Sequence, residues 1–304
     1  IRDSPRIRKK VVSAIELFSN FVQERKDTGR IYLMNVDHAN DHSPFKEAIK
    51  QSNLCAEIDL PTKPLKDIND ETGEIALCTL SAINWGKIKS PDDFQKPCEL
   101  AVRGLDALLD YQSYPVRAAY NSTMLYRPLG IGIINLAYWL AKHDSTYSDP
   151  NLELVDQYAQ AWSYYLIKAS ADLAKEKGAC IGYQKLKYAD GKLPIDTYKK
   201  DVDDLIENRE YHDWNSLRKD IKQYGIRNST LMALMPAETS AQISNSTNGI
   251  EPVRSLITVK QSKDGVLKQV VPEYRRLKNK YELLWDQKSP EGYLKICAVL
   301  QKYI

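Results

Sequence analysis

The sequence has no CxxC pair, no apolar run long enough to cross a bilayer, no internal repeat and almost no net charge. Each absence excludes something. Five cysteines, Cys55, Cys78, Cys98, Cys180 and Cys297, are spread at long spacings through 304 residues. Neither a zinc ribbon nor a thioredoxin-type motif is encoded, and a reducing compartment is the simplest setting. There, the Asn-Ser-Thr triplets at Asn121, Asn228 and Asn245 stay unglycosylated. The longest largely apolar run, 129–141, has 13 residues. A membrane span needs about 20, so the run reads as a buried helix. No signal peptide opens the sequence. These absences point to a cytoplasmic protein with no membrane role. A net charge of +3 is too small to argue for nucleic acid, and no basic run is interleaved with aromatics. The sequence starts at Ile1 without Met and stops at Ile304 inside a helical pattern. Both ends look cut, as in part of a longer or split protein.

What is present is a globular composition, 43% hydrophobic and 27% charged, long enough for a sizeable core. Val11, Val12, Ile15, Phe18, Phe21 and Val22 recur at helical spacing over 6–27, closed by Gly29. A short strand is expected over 31–36, then a polar loop with His38 and His42. Their spacing of four suits metal ligands on a helix, but the flanking strand and Ser43-Pro44 argue for a loop, and no metal site is assigned. A calcium-like turn at 67–73 has the wrong spacing and no distal Glu. A second strand is expected over 74–85. Helices follow over 91–111, 133–142, 151–177 and 214–224. The Gly130-x-Gly132 pair lacks the third glycine of a dinucleotide site and reads as tight packing. A buried strand at 231–235 runs into a helix, with Thr239 and Gln242 fitting a capping box and Asn248-Gly249 ending it. Strand into helix N-terminus with two hydroxyls suits a phosphate, although Glu238 partly opposes an anion. Asp264-Gly265 marks a hairpin over 256–271. A helix over 274–285 and a last helix complete the order. Strands and helices mix throughout, so the class is α/β.

Gln51-Ser52-Asn53-Leu54-Cys55-Ala56-Glu57-Ile58 carries the chemistry. Read as a strand, it puts Asn53, Cys55 and Glu57 on one face, about 7 Å apart. An amide, a thiol and a base then line up. The same pattern fits an edge strand with one buried cysteine and two solvated polar residues. Cys78 falls on the next expected strand, where it reads either as inert packing or as a neighbour of Cys55.

These stretches resemble the catalytic large subunit of class I ribonucleotide reductase, of the enterobacterial and T-even-phage type. The match runs through Thr28-Gly29-Arg30-Ile31-Tyr32, Gln51 to Ile58, Gly73-Glu74-Ile75-Ala76-Leu77-Cys78-Thr79-Leu80-Ser81 and Leu193-Pro194-Ile195-Asp196-Thr197-Tyr198. It continues through Met235-Pro236-Ala237-Glu238-Thr239-Ser240 and Ser244-Asn245-Ser246-Thr247-Asn248-Gly249-Ile250-Glu251-Pro252. Together and in order, these motifs are specific and cover almost the whole sequence. The resemblance implies part of a ten-stranded α/β barrel with a central finger loop. Cys55 would sit at the loop tip and become a transient thiyl radical; Glu57 would act as base on the 3′ hydroxyl, and Asn53 would hydrogen-bond the sugar. Cys78 would be one of two reducing thiols, its mate lying upstream of Ile1. Ser52 and Leu54 would line the substrate, and Pro236, Ala237, Glu238, Thr239 and Ser240 would hold its diphosphate. No cofactor would be bound by these residues; effector nucleotides would bind regions absent here. The implied partners are a ribonucleoside diphosphate, a small subunit whose metal centre generates the radical, the remainder of the large subunit, thioredoxin or glutaredoxin, and a second large subunit. The competing expectation is half of a split reductase, inert until assembled.

Overall fold

The computed structural model describes residues 5–6, 8–263 and 265–304, in two units, Ile1–Asn35 and Val36–Ile304. The first unit contains helix α1 (Ala14–Thr28). Ser13 caps it by accepting the Glu16 amide at 3.3 Å. Gly29 ends it at φ 64°, a left-handed conformation that glycine adopts without strain. The helix expected over 6–27 therefore begins later, and Ile7 lies outside the described residues. The apolar stripe is real but uncovered, since Ile15 and Phe18 are largely exposed. The strand expected over 31–36 does not form.

In the second unit, helix α2 (Val36–His42) takes the place of the expected polar loop. Further on, strand β1 (Leu80–Asn84) precedes helices α3 (Gln95–Tyr111) and α4 (Arg117–Tyr126) and then strand β2 (Gly130–Ile134). β1 and β2 are parallel, Leu80 facing Gly130 and Asn84 facing Ile134. Helices α5 (Leu136–Lys142), α6 (Leu152–Lys177), α7 (Pro194–Thr197) and α8 (Trp214–Tyr224) lead back to β2's other edge. There Met232 bridges Ile131 in parallel, and the Ile131 amide donates to Leu231 O at 2.7 Å. Two helical crossovers joining parallel partners make this an α/β unit. The strand expected over 231–235 is thus a single bridge. Helix α9 (Glu238–Ile243), an antiparallel hairpin β3 (Ile257–Ser262) and β4 (Gly265–Val270), and helices α10 (Tyr274–Leu277) and α11 (Glu291–Gln301) complete the order. Among the described residues, the strands form two two-stranded sheets. Asp264, expected in the hairpin turn, lies outside those residues.

Other expectations needed correction. The run 129–141 is not one helix. Gly130-Ile131-Gly132-Ile133-Ile134 is a wholly buried strand, and Asn135, at φ 72°, turns the backbone into α5. The glycines belong to strand packing: a Cβ at Gly132 would lie 2.4 Å from Ala233 O. Of the strand expected over 74–85, only β1 is regular. The helix expected over 274–285 stops at Leu277.

The core lies between the helices and β2. α3 buries Cys98, Val102, Leu105 and Leu109, while Leu108 is exposed. α6 buries Val155, Tyr158, Trp162, Leu166, Ala169 and Leu173 as one stripe at helical spacing, with Tyr165 only half-buried beside it. Trp85, Trp139 and Trp162 are fully buried and pack edge-on, with Trp85 and Trp139 5.5 Å apart. Ahead of β2, the buried Arg127 guanidinium clasps Asp106 at 2.7 Å and Asp110 at 2.8 Å. Asn228 Nδ2 adds a bond to Asp106 Oδ1 at 3.2 Å. This paired network ties α3 to the entries of both β2 and the 230–232 segment.

Candidate active site

The stretch 51–58 is a tight loop, not a strand. The Asn53 amide donates to Ile58 O at 3.2 Å, and the Ala56 amide returns to Asn53 O at 3.1 Å. Ala56 has φ 59°, so the backbone reverses at Leu54-Cys55-Ala56. Alternation ends there, and Asn53, Cys55 and Glu57 do not share a strand face. Leu54 and Cys55 sit exposed at the tip. Asn53 fastens the base: its Oδ1 accepts the Glu57 amide at 3.0 Å and the Ile58 amide at 3.1 Å. Ser52 Oγ adds a bond to Asn53 O at 3.2 Å. Ile58 seats the loop beside the parallel strands. A Cβ on Gly130 would approach Leu80 Cδ2, Ala233 Cβ and Ile58 Cδ1 together.

Cys78, two residues ahead of β1, meets this loop. Its Sγ donates towards Glu57 Oε1 at 3.8 Å. Cys78 is open to solvent on one side. Burial on the other pushes its thiol up to about 11, helped by the Glu57 carboxylate and then by Cys55. At neutral pH Cys78 therefore keeps its proton. Glu57 Oε2 is buried and has no hydrogen-bond partner among the described residues. A carboxylate oxygen in that state is free to accept a hydroxyl proton or hydrogen bond. Asp59 Oδ1 is similarly orphaned, and burial raises the Asp59 carboxyl above its ordinary range.

Pro236, Ala237, Glu238, Thr239 and Ser240 lie elsewhere along β2. Ile134, at its end, packs on Ala237 and Ala241. Cys78 lies close to its start, since Thr79 O accepts the Gly130 amide. Five residues of strand span about 13 Å. Among the described residues, no hydrogen bond or ion pair joins the two groups. Glu238, Thr239 and Ser240 are exposed and Ala237 is buried. The expected Thr239 capping box is absent; the cap of α9 lies two residues earlier, at Ala237. Asn248 does the capping instead, accepting the Ala237 amide at 3.0 Å and the Glu238 amide at 2.7 Å. It therefore does not end the helix, which stops at Ile243. Two amides thought free for an anion are thus occupied. Glu238 pairs loosely with Lys260 at 3.9 Å.

Sequence reasoning missed a network at the far ends of β1 and β2, on the side of the 236–240 segment. Asn135 Nδ2 donates to Asn84 Oδ1 at 2.9 Å, and Asn84 Nδ2 to Ser246 Oγ at 2.8 Å. Asn135 Oδ1 also accepts the Thr247 amide at 3.0 Å. The only sequence signal was an asparagine ending each apolar strand. His38 and His42 do fall on a helix, α2. His42 is already engaged, Nδ1 with Thr197 Oγ1 at 2.9 Å and Nε2 with Gln301 O at 2.8 Å. No group of three or more metal-ligating side chains occurs among the described residues. Nor is any described helix long and apolar enough to cross a membrane.

The parallel α/β unit thus brings a loop-borne thiol, a carboxylate and a second thiol close to one another. The family model "Ribonucleotide reductase, barrel domain" matches residues 1–304. The sequence is 59% identical to the ribonucleoside-diphosphate reductase subunit alpha of Haemophilus influenzae, over 99% of this chain and 40% of that protein. Identity is 57% to ribonucleoside-diphosphate reductase 1 subunit alpha of Escherichia coli, over 98% and 40%. It is 44% to subunit alpha of Enterobacteria phage T4, over 99% and 40%. The chain belongs to the ribonucleotide reductase family and spans about 40% of the length of these relatives.

Proposed function

We propose that these residues carry the substrate-reducing site of a ribonucleoside-diphosphate reductase, set in part of a ten-stranded barrel with 51–58 as its finger loop. The observation that carries this reading is the meeting of Glu57 with Cys78 beneath the exposed Cys55 tip. Cys55, as a thiyl radical, takes the 3′ hydrogen of the ribose. Glu57 accepts the 3′ hydroxyl proton through its unpartnered Oε2 as the protonated 2′ hydroxyl leaves as water. Cys78 and a second thiol supply two electrons and two protons and become a disulfide. Cys55 then returns its hydrogen to C3′, regenerating the radical. The raised Cys78 thiol suits this work, because it retains the hydrogen it must give. Asn53 steadies the sugar, with Ser52 and Leu54 beside it. Pro236, Ala237, Glu238, Thr239 and Ser240 hold the diphosphate; with two amides held by Asn248 and the Ser240 hydroxyl donating to Ala237 O at 2.6 Å, the exposed Thr239 hydroxyl is the main side-chain donor. Relatives named subunit alpha support a partner subunit, here the source of the radical. The working enzyme is cytoplasmic, pairs with a second alpha subunit and is re-reduced by thioredoxin or glutaredoxin.

The test uses a full-length alpha subunit carrying this span, with its small subunit. Cys78→Ser should still release 3′ label from substrate but stop deoxyribonucleotide formation. Normal product formation by that variant would contradict the assignment.

A further inference from the structure

The segment assigned to the diphosphate has no cation of its own. From 228 to 253 the sequence contains no Lys or Arg, yet it carries Glu238 and Glu251. Arg254, just past that span, acts on Glu251. A diphosphate brought to Glu238 and Thr239 therefore meets like charge. The fold imports a cation through the hairpin. Thr258 faces Gln269 and Lys260 faces Leu267 across β3 and β4, so these four side chains share one face. Two contacts show where that face looks. Gln269 Nε2 donates to Ser246 O at 3.2 Å, and Lys260 Nζ lies 3.9 Å from Glu238 Oε2. Val259 and Lys268, the facing pair next along the ladder, lie on the opposite face.

We propose that Lys260 is a cation for the substrate diphosphate: Glu238 holds its ammonium next to the phosphate segment until substrate binds, and the ammonium then transfers to the phosphates. The proposal rests on the diphosphate assignment made above. The contact with Glu238 is suited to release. At 3.9 Å it is longer than a hydrogen bond, and Lys260 Nζ makes no hydrogen bond among the described residues, so its N–H donors are unspent. The two side chains are 52% and 68% exposed, a setting in which an ion pair contributes little. A diphosphate carries more charge than one carboxylate and offers more acceptor oxygens, so it outcompetes Glu238 for the ammonium. A compact charge on a flexible stem can follow the phosphates without a fixed geometry. Both ends of the contact are nevertheless placed. Asn248 Oδ1 holds the amides of Ala237 and Glu238, which pins Glu238 at φ 24° ahead of the exposed Thr239. Gln269 ties the hairpin to the same region.

Calorimetric titration of the full-length subunit with cytidine diphosphate and with cytidine reads the phosphate contact. Lys260→Gln should weaken cytidine diphosphate about tenfold, the scale of one charge-assisted hydrogen bond, and leave cytidine unchanged. Lys268→Gln removes the same charge from the opposite face and should leave both unchanged. In turnover with the small subunit, Lys260→Gln should raise KM far more than it lowers kcat. Equal weakening of cytidine diphosphate and cytidine by Lys260→Gln marks a structural effect and overturns the proposal. An equal loss of diphosphate binding in Lys268→Gln overturns it too, since the general field of the hairpin would then be enough. Thr239→Ala separates the proposal from the assignment beneath it. Weaker diphosphate binding in Thr239→Ala, with wild-type binding in Lys260→Gln, overturns the Lys260 role alone. Wild-type binding in both variants overturns the diphosphate assignment and the proposal together.

Discussion

Replacing Glu57 by Gln removes one negative charge and keeps the side-chain shape. The structure sets what should follow at Cys78. The thiol rises from an ordinary value of 9.0 to about 11, with burial first, the Glu57 charge second and the bond to Glu57 third. Burial survives the substitution, and glutamine still offers an oxygen to the S–H. The charge therefore accounts for no more than about one pH unit, or roughly tenfold in thiolate at any pH below both values. A bare Coulomb sum at 3.8 Å with an effective dielectric of 20 gives about 4 kcal/mol, roughly three pH units. That exceeds the whole rise, so solvent on the open side of Cys78 must screen the pair. The assay is iodoacetamide alkylation of the full-length subunit at pH 8, followed by peptide mass spectrometry to separate Cys55 from Cys78. Because the thiolate is the nucleophile, Glu57→Gln should speed Cys78 alkylation up to about tenfold. An unchanged or slower rate would refute the claim that Glu57 holds Cys78 protonated.

Two other expectations concern the frame. Gly132→Ala forces a Cβ to within 2.4 Å of Ala233 O, so it should destabilise the subunit by about 1–3 kcal/mol, read as a lower denaturation midpoint. His42 is held neutral, its pKa lowered by burial below 6.5. An unfolded histidine takes up a proton before this one does, so His42's contribution to stability is present above about pH 6.5 and lost as pH falls through its lowered folded value. His42→Gln should flatten the stability profile there, and an unaltered profile would show that His42 does not titrate on unfolding.

The long helices were legible because their apolar stripes repeat at 3.6 residues over many turns. α6 and α8 match their expected spans within a residue, and the hairpin followed from its turn residues. Short apolar runs were not legible. Gly130 to Ile134 is buried on all sides, so no alternation separates strand from helix, and Asn135 hides the break. At Asn53, Cys55 and Glu57, residue types pointed to chemistry, but alternation gave the wrong backbone. The turn at Ala56 has no glycine to announce it. The meeting of Glu57 with Cys78 spans 21 positions, beyond any local period. Resemblance to reductases located these residues; geometry supplied what that resemblance did not contain. Asn53 Oδ1 is spent on the loop, and Asn248 occupies the leading amides of α9.

The central claim is that Cys55 starts the reduction of a ribonucleoside diphosphate. Its most direct test is deoxyribonucleoside diphosphate formation by the full-length subunit carrying Cys55→Ser, with the small subunit and reductant supplied. Exchange of the exposed thiol for a hydroxyl should leave folding and phosphate-side binding intact, because Cys55 supports no core packing. Product formation should vanish while substrate still binds. Turnover at the wild-type rate would contradict the account.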